Sequence, residues 1–208
     1  MIKALLLIFR PIQAWERIFR AQRSFAFVLL LYLTPMVLIT VAVEGYGLVH
    51  WGQWQKDVTY LKKFTPGEAV VYEVAQALLT FGLVFLGAKI IKSLGETFHG
   101  RHTYTQAFTI VAYGLSPLFL LRLLDAFPWA GPWTTWGIGI VLCVSALYQG
   151  VPRVMMPDPP HAFGLYLMSS LLLVIITGLA RFVTAWYLQG YFKSVEEVIS
   201  RLAAQLPF

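Results

Sequence analysis

The 208-residue sequence predicts an all-α integral membrane protein, a bundle of five transmembrane helices with an interfacial amphipathic helix at the N terminus. Three observations carry this expectation. Apolar residues make up 58% of the chain and charged residues 12%, and the mean hydropathy is +0.68, outside the balance of soluble domains. Five apolar runs each approach the roughly 20 residues a helix needs to cross about 30 Å of hydrocarbon. These runs use most of the length, so residues 1–208 are expected to form one membrane domain, with no room for a soluble one.

Residues 1–24 place Leu5, Leu6, Phe9, Ile12, Trp15, Ile18 and Phe19 at helical spacing, with Lys3, Arg10, Arg17, Arg20 and Arg23 mostly on the other side. Pro11 divides this segment in two. Two readings fit: an amphipathic helix in the headgroup layer of an anionic leaflet, or a plain basic anchor. Both put the N terminus on the cytosolic side. The early charges and Pro11 do not suit a cleavable signal, so the first span is expected to be retained.

That span covers about residues 25–46, and Pro35 in its middle removes the donor for the Leu31 carbonyl, which predicts a kink. Glu44 near its far end reads as a solvated carboxylate. The connector 50–65 mixes Trp51, Trp54 and Tyr60 with Lys56, Asp57, Lys62 and Lys63, as an interfacial aromatic belt does. Thr65-Pro66-Gly67-Glu68 has the spacing of a capping box and opens the second span, about residues 67–93. Glu73 in its first turns and Lys89 and Lys92 in its last match the helix dipole. Glu44 and Glu73 also fall near the same outer surface, where intramembrane carboxylates can mark an ion path.

Polar residues then cluster before the third span, about residues 103–124. His99 and His102 stand three apart, but no third metal ligand is near them in sequence. Within the span, Pro117 leaves the Tyr113 carbonyl without its helical donor, and Gly114 and Ser116 allow a neighbouring helix to approach closely. Tyr113 and Gln106 are candidates for hydrogen bonds inside the bundle. Arg122 stands three residues before Asp125, at the spacing of an ion pair on one helix face. Residues 126–133 form a turn rich in aromatics.

The fourth span, about residues 133–151, carries Gly137 and Gly139 as a slim packing face. At its end Pro152 frees the Tyr148 carbonyl with Gly150 between them, so two kinked helices are expected to face each other. Asp158 before Pro159 is placed to cap the fifth span, about residues 161–188. Arg181 near its end either snorkels to the surface or pairs with an acid such as Glu44. The tail 192–206 is weakly amphipathic, and the lone Cys143, inside an apolar run, reads as packing.

Three stretches carry a family resemblance. Gly100 with Thr103-Tyr104-Thr105-Gln106-Ala107 leads into Ala112-Tyr113-Gly114-Leu115-Ser116-Pro117. Leu147-Tyr148-Gln149-Gly150-Val151-Pro152-Arg153-Val154-Met155 follows later, and Pro11, Trp15 and Ile18 stand near the start. Together they resemble the Yip family, the Ypt/Rab-interacting membrane proteins, in its short prokaryotic form, over most of the chain. The resemblance implies five spans, a cytosolic N terminus and, in eukaryotic relatives, a role in vesicle traffic through small GTPases and other membrane proteins. Eukaryotic members carry a long polar segment before the first span, where this chain has residues 1–24.

Five spans leave nine Lys or Arg on the N-terminal side and seven on the other, so the N terminus is expected inside a bacterial inner membrane and the C terminus outside. No phosphate loop, His-Glu-x-x-His helix or nucleophile elbow occurs, and neither a catalytic centre nor a cofactor or metal is expected. The expected function is non-enzymatic: binding or scaffolding other membrane components. The alternative is a small transporter or lipid-handling protein with a polar path between the third and fourth spans, which Tyr113, Gln106 and Tyr148 would line. Expected partners are anionic lipids at the N-terminal helix and other membrane proteins, with a homo-oligomer also open, and no nucleic acid. The candidate partner surface is Arg101, Tyr104 and Gln106, with Tyr113, Gly114, Pro117, Tyr148, Gly150 and Pro152 at the helix bends.

Overall fold

Five helices long and apolar enough to cross a membrane run Phe25–His50, Pro66–Thr97, Tyr104–Ala126, Pro132–Met155 and Pro159–Leu188. The structure, a computed structural model, describes residues 2–54, 61–98 and 102–188. Arg101, His99 and the tail 192–206 therefore lie outside the described residues.

Two short helices precede the spans, α1 (Ile2–Phe9) and α2 (Pro11–Ala21), separated at Arg10 because Pro11 starts the second. The first span begins as α3 (Phe25–Val28), widens into a π turn at Leu29–Leu33 and continues as α4 (Thr34–His50). The irregularity thus falls just ahead of Pro35. Thr34 donates both its N–H and its hydroxyl (2.9 Å) to the Leu29 carbonyl, so the ladder is shifted by one residue around the missing proline donor.

A short hairpin pairs β1 (Gln53–Trp54) with β2 (Leu61–Lys62) in the connector. Then α5 (Pro66–Thr97) opens on the capping box: Thr65 N–H donates to Glu68 Oε2 at 2.8 Å and Glu68 N–H returns to Thr65 Oγ1 at 3.3 Å. A second capping box, not read from the sequence, starts α6 (Tyr104–Gly114): Thr103 N–H donates to Gln106 Oε1 at 2.8 Å.

The third span breaks after α6. Leu115 leaves helical geometry at ψ 0°, and α7 (Ser116–Arg122) restarts with Pro117 in its first turn, where a missing N–H does no harm. A 3-10 turn, Leu123–Ala126, ends it. The fourth span, α8 (Pro132–Met155), runs through Pro152 without interruption, whereas the third is divided before Pro117. A 3-10 turn at Pro159–His161 leads into α9 (Ala162–Leu188). The Asp158 side chain makes no cap there, because Pro159 and Pro160 carry no N–H to donate; its carbonyl accepts from His161 N–H at 2.9 Å instead.

The third span is the axis of the bundle: 72% of its most apolar stretch is buried, against 33, 33, 50 and 28% for the others in chain order. Residues 110 to 119 are buried without a gap, as expected of a helix apolar on every side. Packing centres on the break. A side chain at Gly114 would overlap Leu147 of α8, and Tyr32 stacks on Tyr113 with centroids 3.8 Å apart while its hydroxyl bonds Ser116. Of the two glycines expected to form a slim face on α8, Gly139 meets Leu118, whereas Gly137 faces open space, since residues two apart lie on different sides of a helix.

The N-terminal helices join this core. One of the two readings from sequence put their apolar side in the headgroup layer; in the structure Ala4, Leu7, Ala14, Trp15 and Ile18 are buried in the bundle, and Leu5, Phe9 and Ile12 stay exposed. Trp15 is the reason: its indole lies over Gly150, its Nε1–H donates to the Ala146 carbonyl at 2.8 Å, and its ring meets Tyr113 edge-on at 6.5 Å. Arg10, Arg17, Arg20 and Arg23 remain on the outside. Trp15→Ala is expected to cost about 3–5 kcal/mol and to free α2 from the bundle. Gly150→Leu, which fills the indole's seat, should lower thermal stability in detergent in the same way, while the exposed Tyr148→Leu should not; equal behaviour of the two α8 variants would contradict this docking.

Candidate functional site

At the end of the bundle remote from α2, charged side chains sit inside apolar helices. Glu44 is 1% exposed, so it is a buried group and not the solvated carboxylate its position suggested. Its Oε2 accepts from Arg122 Nη2 at 2.6 Å. Gly47, one turn on, allows α4 to press against the Ala126 backbone and so brings Glu44 to the end of α7. Asp125 in the 3-10 turn takes the other arginine: Arg181 Nη2 donates to Oδ2 at 2.5 Å, and Thr135 Oγ1 donates to Oδ1 at 2.5 Å. Arg181 Nε also reaches the Pro132 carbonyl at 2.9 Å.

The sequence reading paired Arg122 with Asp125, and Arg181 with the surface or Glu44; the partners are exchanged. The exchange gives each of the four an opposite charge and ties the first span to the third and the fifth to the third and fourth, while Glu44 Oε1 and Arg122 Nε find no hydrogen-bond partner among the described residues.

Around these pairs Gln76, Thr80, Trp136, Thr177 and Thr184 line a cavity of about 50 Å³, against which Arg122 and Arg181 also lie. That is room for a few water molecules and too little for an organic solute. Trp136 Nε1 donates to Thr177 Oγ1 at 3.3 Å, and Gln76 Nε2 donates to the Tyr72 hydroxyl at 2.7 Å. Intramembrane ionisable residues are the signal that could have found this site: Glu44, Glu73, Arg122, Asp125 and Arg181 all fall within or at the ends of apolar runs.

The residues singled out from the sequence do not converge. Tyr113 is 1% exposed in the core, and Gly114 and Pro117 frame the break beneath it. Gly150 seats Trp15, and Pro152 lies within the unbroken α8. Tyr148 is 54% exposed and meets Tyr166 edge-on at 5.2 Å, away from Tyr113. Gln106 caps α6, and the Tyr104 ring packs on Phe25 at 5.9 Å.

Near Gln106, at the α2 end, a hollow of about 270 Å³ is bounded by Gln22 and Arg23 on one side and Thr103, Thr105, Gln106 and Thr109 on the other. Among the described residues the Gln106 amide nitrogen donates to nothing and Arg23 meets no acid; the Arg23 guanidinium lies 4.5 Å over the Phe27 ring. The hollow is therefore bordered by two side-chain donors, the Gln106 amide and the Arg23 guanidinium. Beside it, His102 is buried against Gly95, where a side chain would overlap the imidazole, and its Nε2–H donates to the Lys92 carbonyl at 3.1 Å. Nδ1 has no partner.

Two outcomes follow from these contacts. Asp125→Ala or Arg181→Ala alone should each cost about 3–5 kcal/mol by stranding a buried charge, whereas the apolar pair Asp125→Leu with Arg181→Met should lose far less in the same unfolding assay; additive losses would mean the two are not coupled. For His102, burial holds the imidazole below its ordinary value. The unfolded chain then takes up the proton first, so the stability His102 contributes is complete above about pH 6.5 and is lost as pH falls through the window beneath it. Amide exchange at the end of α5, corrected for the intrinsic rate, should accelerate on acidification, and His102→Phe should abolish that dependence.

Searches of curated proteins and of solved structures give no match. A family model described as the Yip1 domain matches residues 5–182, from the exposed flank of α1 to the residue after Arg181. The match contains the Trp15 seat, the break at Leu115 and both buried ion pairs, and the chain belongs to the Yip1 domain family of membrane proteins.

Proposed function

We propose that the protein is a non-enzymatic scaffold of the bacterial cytoplasmic membrane that holds other membrane components at the end of the bundle carrying α2, with that end facing the cytosol. The observation that carries this reading is the hollow between α2 and α6. Polar groups are scarce in a chain with 12% charged residues, yet the Arg23 guanidinium and the Gln106 amide gather there, beside Thr103 and Thr109, whose hydroxyls donate within the chain. A partner bearing carboxylate or carbonyl acceptors suits such a surface. The exposed arginines of α2 extend it toward anionic lipid headgroups. Tyr104 and, outside the described residues, Arg101 belong to the same connector region.

Packing weighs against the alternative, a transporter with a polar path between the third and fourth spans. Leu147 fills the space at Gly114, and Tyr148 points away from Tyr113. A photo-crosslinking residue placed at Thr105 in intact membranes should form discrete adducts with other membrane proteins. Arg23→Ala combined with Gln106→Ala should reduce those adducts several-fold at equal expression. Adducts that persist unchanged in the double variant would remove this surface from consideration.

A further inference from the structure

The charged cluster does not balance. Glu73 on α5 lies about two turns below the start of the helix and is 5% exposed, and among the described residues neither of its carboxyl oxygens has a hydrogen-bond partner. It faces the seam between α4 and α5, where a side chain at Gly45 would stand 3.1 Å from its Cγ. The charges that act on it are Glu44 from α4, Arg122 from α7 and Asp125 from the 3-10 turn, and its neighbour Tyr72 lies within reach of Arg181 from α9. Both arginines are committed, Arg122 to Glu44 at 2.6 Å and Arg181 to Asp125 at 2.5 Å. Two cations thus meet two anions, and the third carboxyl is left over.

A carboxylate buried without a donor or counter-charge is costly to keep, and one particle that cancels the charge removes the cost. A metal ion fits poorly. Hard cations need a cage of six or more oxygens, the described residues hold no group of three His, Cys, Asp or Glu side chains that could hold a metal, and Arg122 already occupies the cationic place beside Glu44. A proton needs only one carboxyl oxygen. We propose that Glu73 is a proton-binding site: its carboxylate takes up one proton as an O–H bond, which brings the five-residue cluster to electroneutrality, and gives that proton back without any other bond changing. The proposal is independent of the hollow at the opposite end of the bundle.

Carbodiimides such as dicyclohexylcarbodiimide enter apolar sites and react with protonated carboxyl groups, so the full chain in lipid nanodiscs provides the test. Glu73 should be the modified acid, with Glu44 and Asp125 spared by their arginines. Its adduct should fall roughly tenfold per pH unit once the carboxyl ionises. Glu73→Gln should lose the adduct while keeping the helical spectrum. The infrared carbonyl stretch of a protonated carboxyl should likewise be present in the wild type, fade at alkaline pH and be missing from Glu73→Gln. Absence of both the adduct and that band from folded wild-type protein across the pH range overturns the proposal. Protection of Glu73 by sodium ions at constant pH overturns it in favour of a cation site.

Discussion

Inside a bilayer, apolar helices gain little by hiding leucine from lipid, so their association rests on close approach and on polar contacts that lipid cannot offer. This constraint organises the whole bundle. The third span meets it with small residues and a break: Gly114 gives its place to Leu147, Ser116 bonds Tyr32, and Tyr113 lies between Tyr32 and Trp15. Four helices are held at one level by these contacts. The N-terminal segment becomes part of the fold because its tryptophan finds both a carbonyl and a glycine seat on α8.

The two ends of the bundle use polar groups differently. Away from α2, buried charges pair across helices that are distant in sequence, Glu44 with Arg122 and Asp125 with Arg181. Buried pairs of this kind add little net stability over apolar packing, but a wrong arrangement of helices would strand a charge in hydrocarbon. They therefore select which spans are neighbours. Near α2, the side chains of Arg23 and Gln106 border an open hollow, where donors remain available. One end joins its helices through paired charges with the Glu73 carboxyl left over, and the other borders open space.

The aromatic residues reinforce this division. Trp51 stacks on Phe127 at 4.9 Å and Phe127 on Trp129 at 5.8 Å, a cluster at the level where the far connectors leave the bundle. Such rings suit the headgroup boundary, with an apolar body and, in tryptophan, a polar edge. The same residue type has another role in α2, where Trp15 is fully buried. The Ala146 carbonyl and the space at Gly150, both on α8, hold Trp15 in the bundle.

The sequence by itself determined the membrane class, the five spans, the family and the start of α5, because each rests on local signals: run length, composition, a run of motifs, and a cap whose donor and acceptor are three residues apart. Partner choice was decided only by tertiary structure. Nothing near Glu44 in the chain indicates Arg122, 78 residues away, and the spacing of Arg122 and Asp125 suggests a pair that the bundle does not make. Pro152 and Pro117 look alike in sequence, yet one lies within a continuous helix and the other restarts a broken one. The physical reason is common to all of these. In a low-dielectric interior a charge or a freed carbonyl is satisfied by whichever group the packed neighbours bring to it, and those neighbours are set by helix contacts that no local pattern encodes.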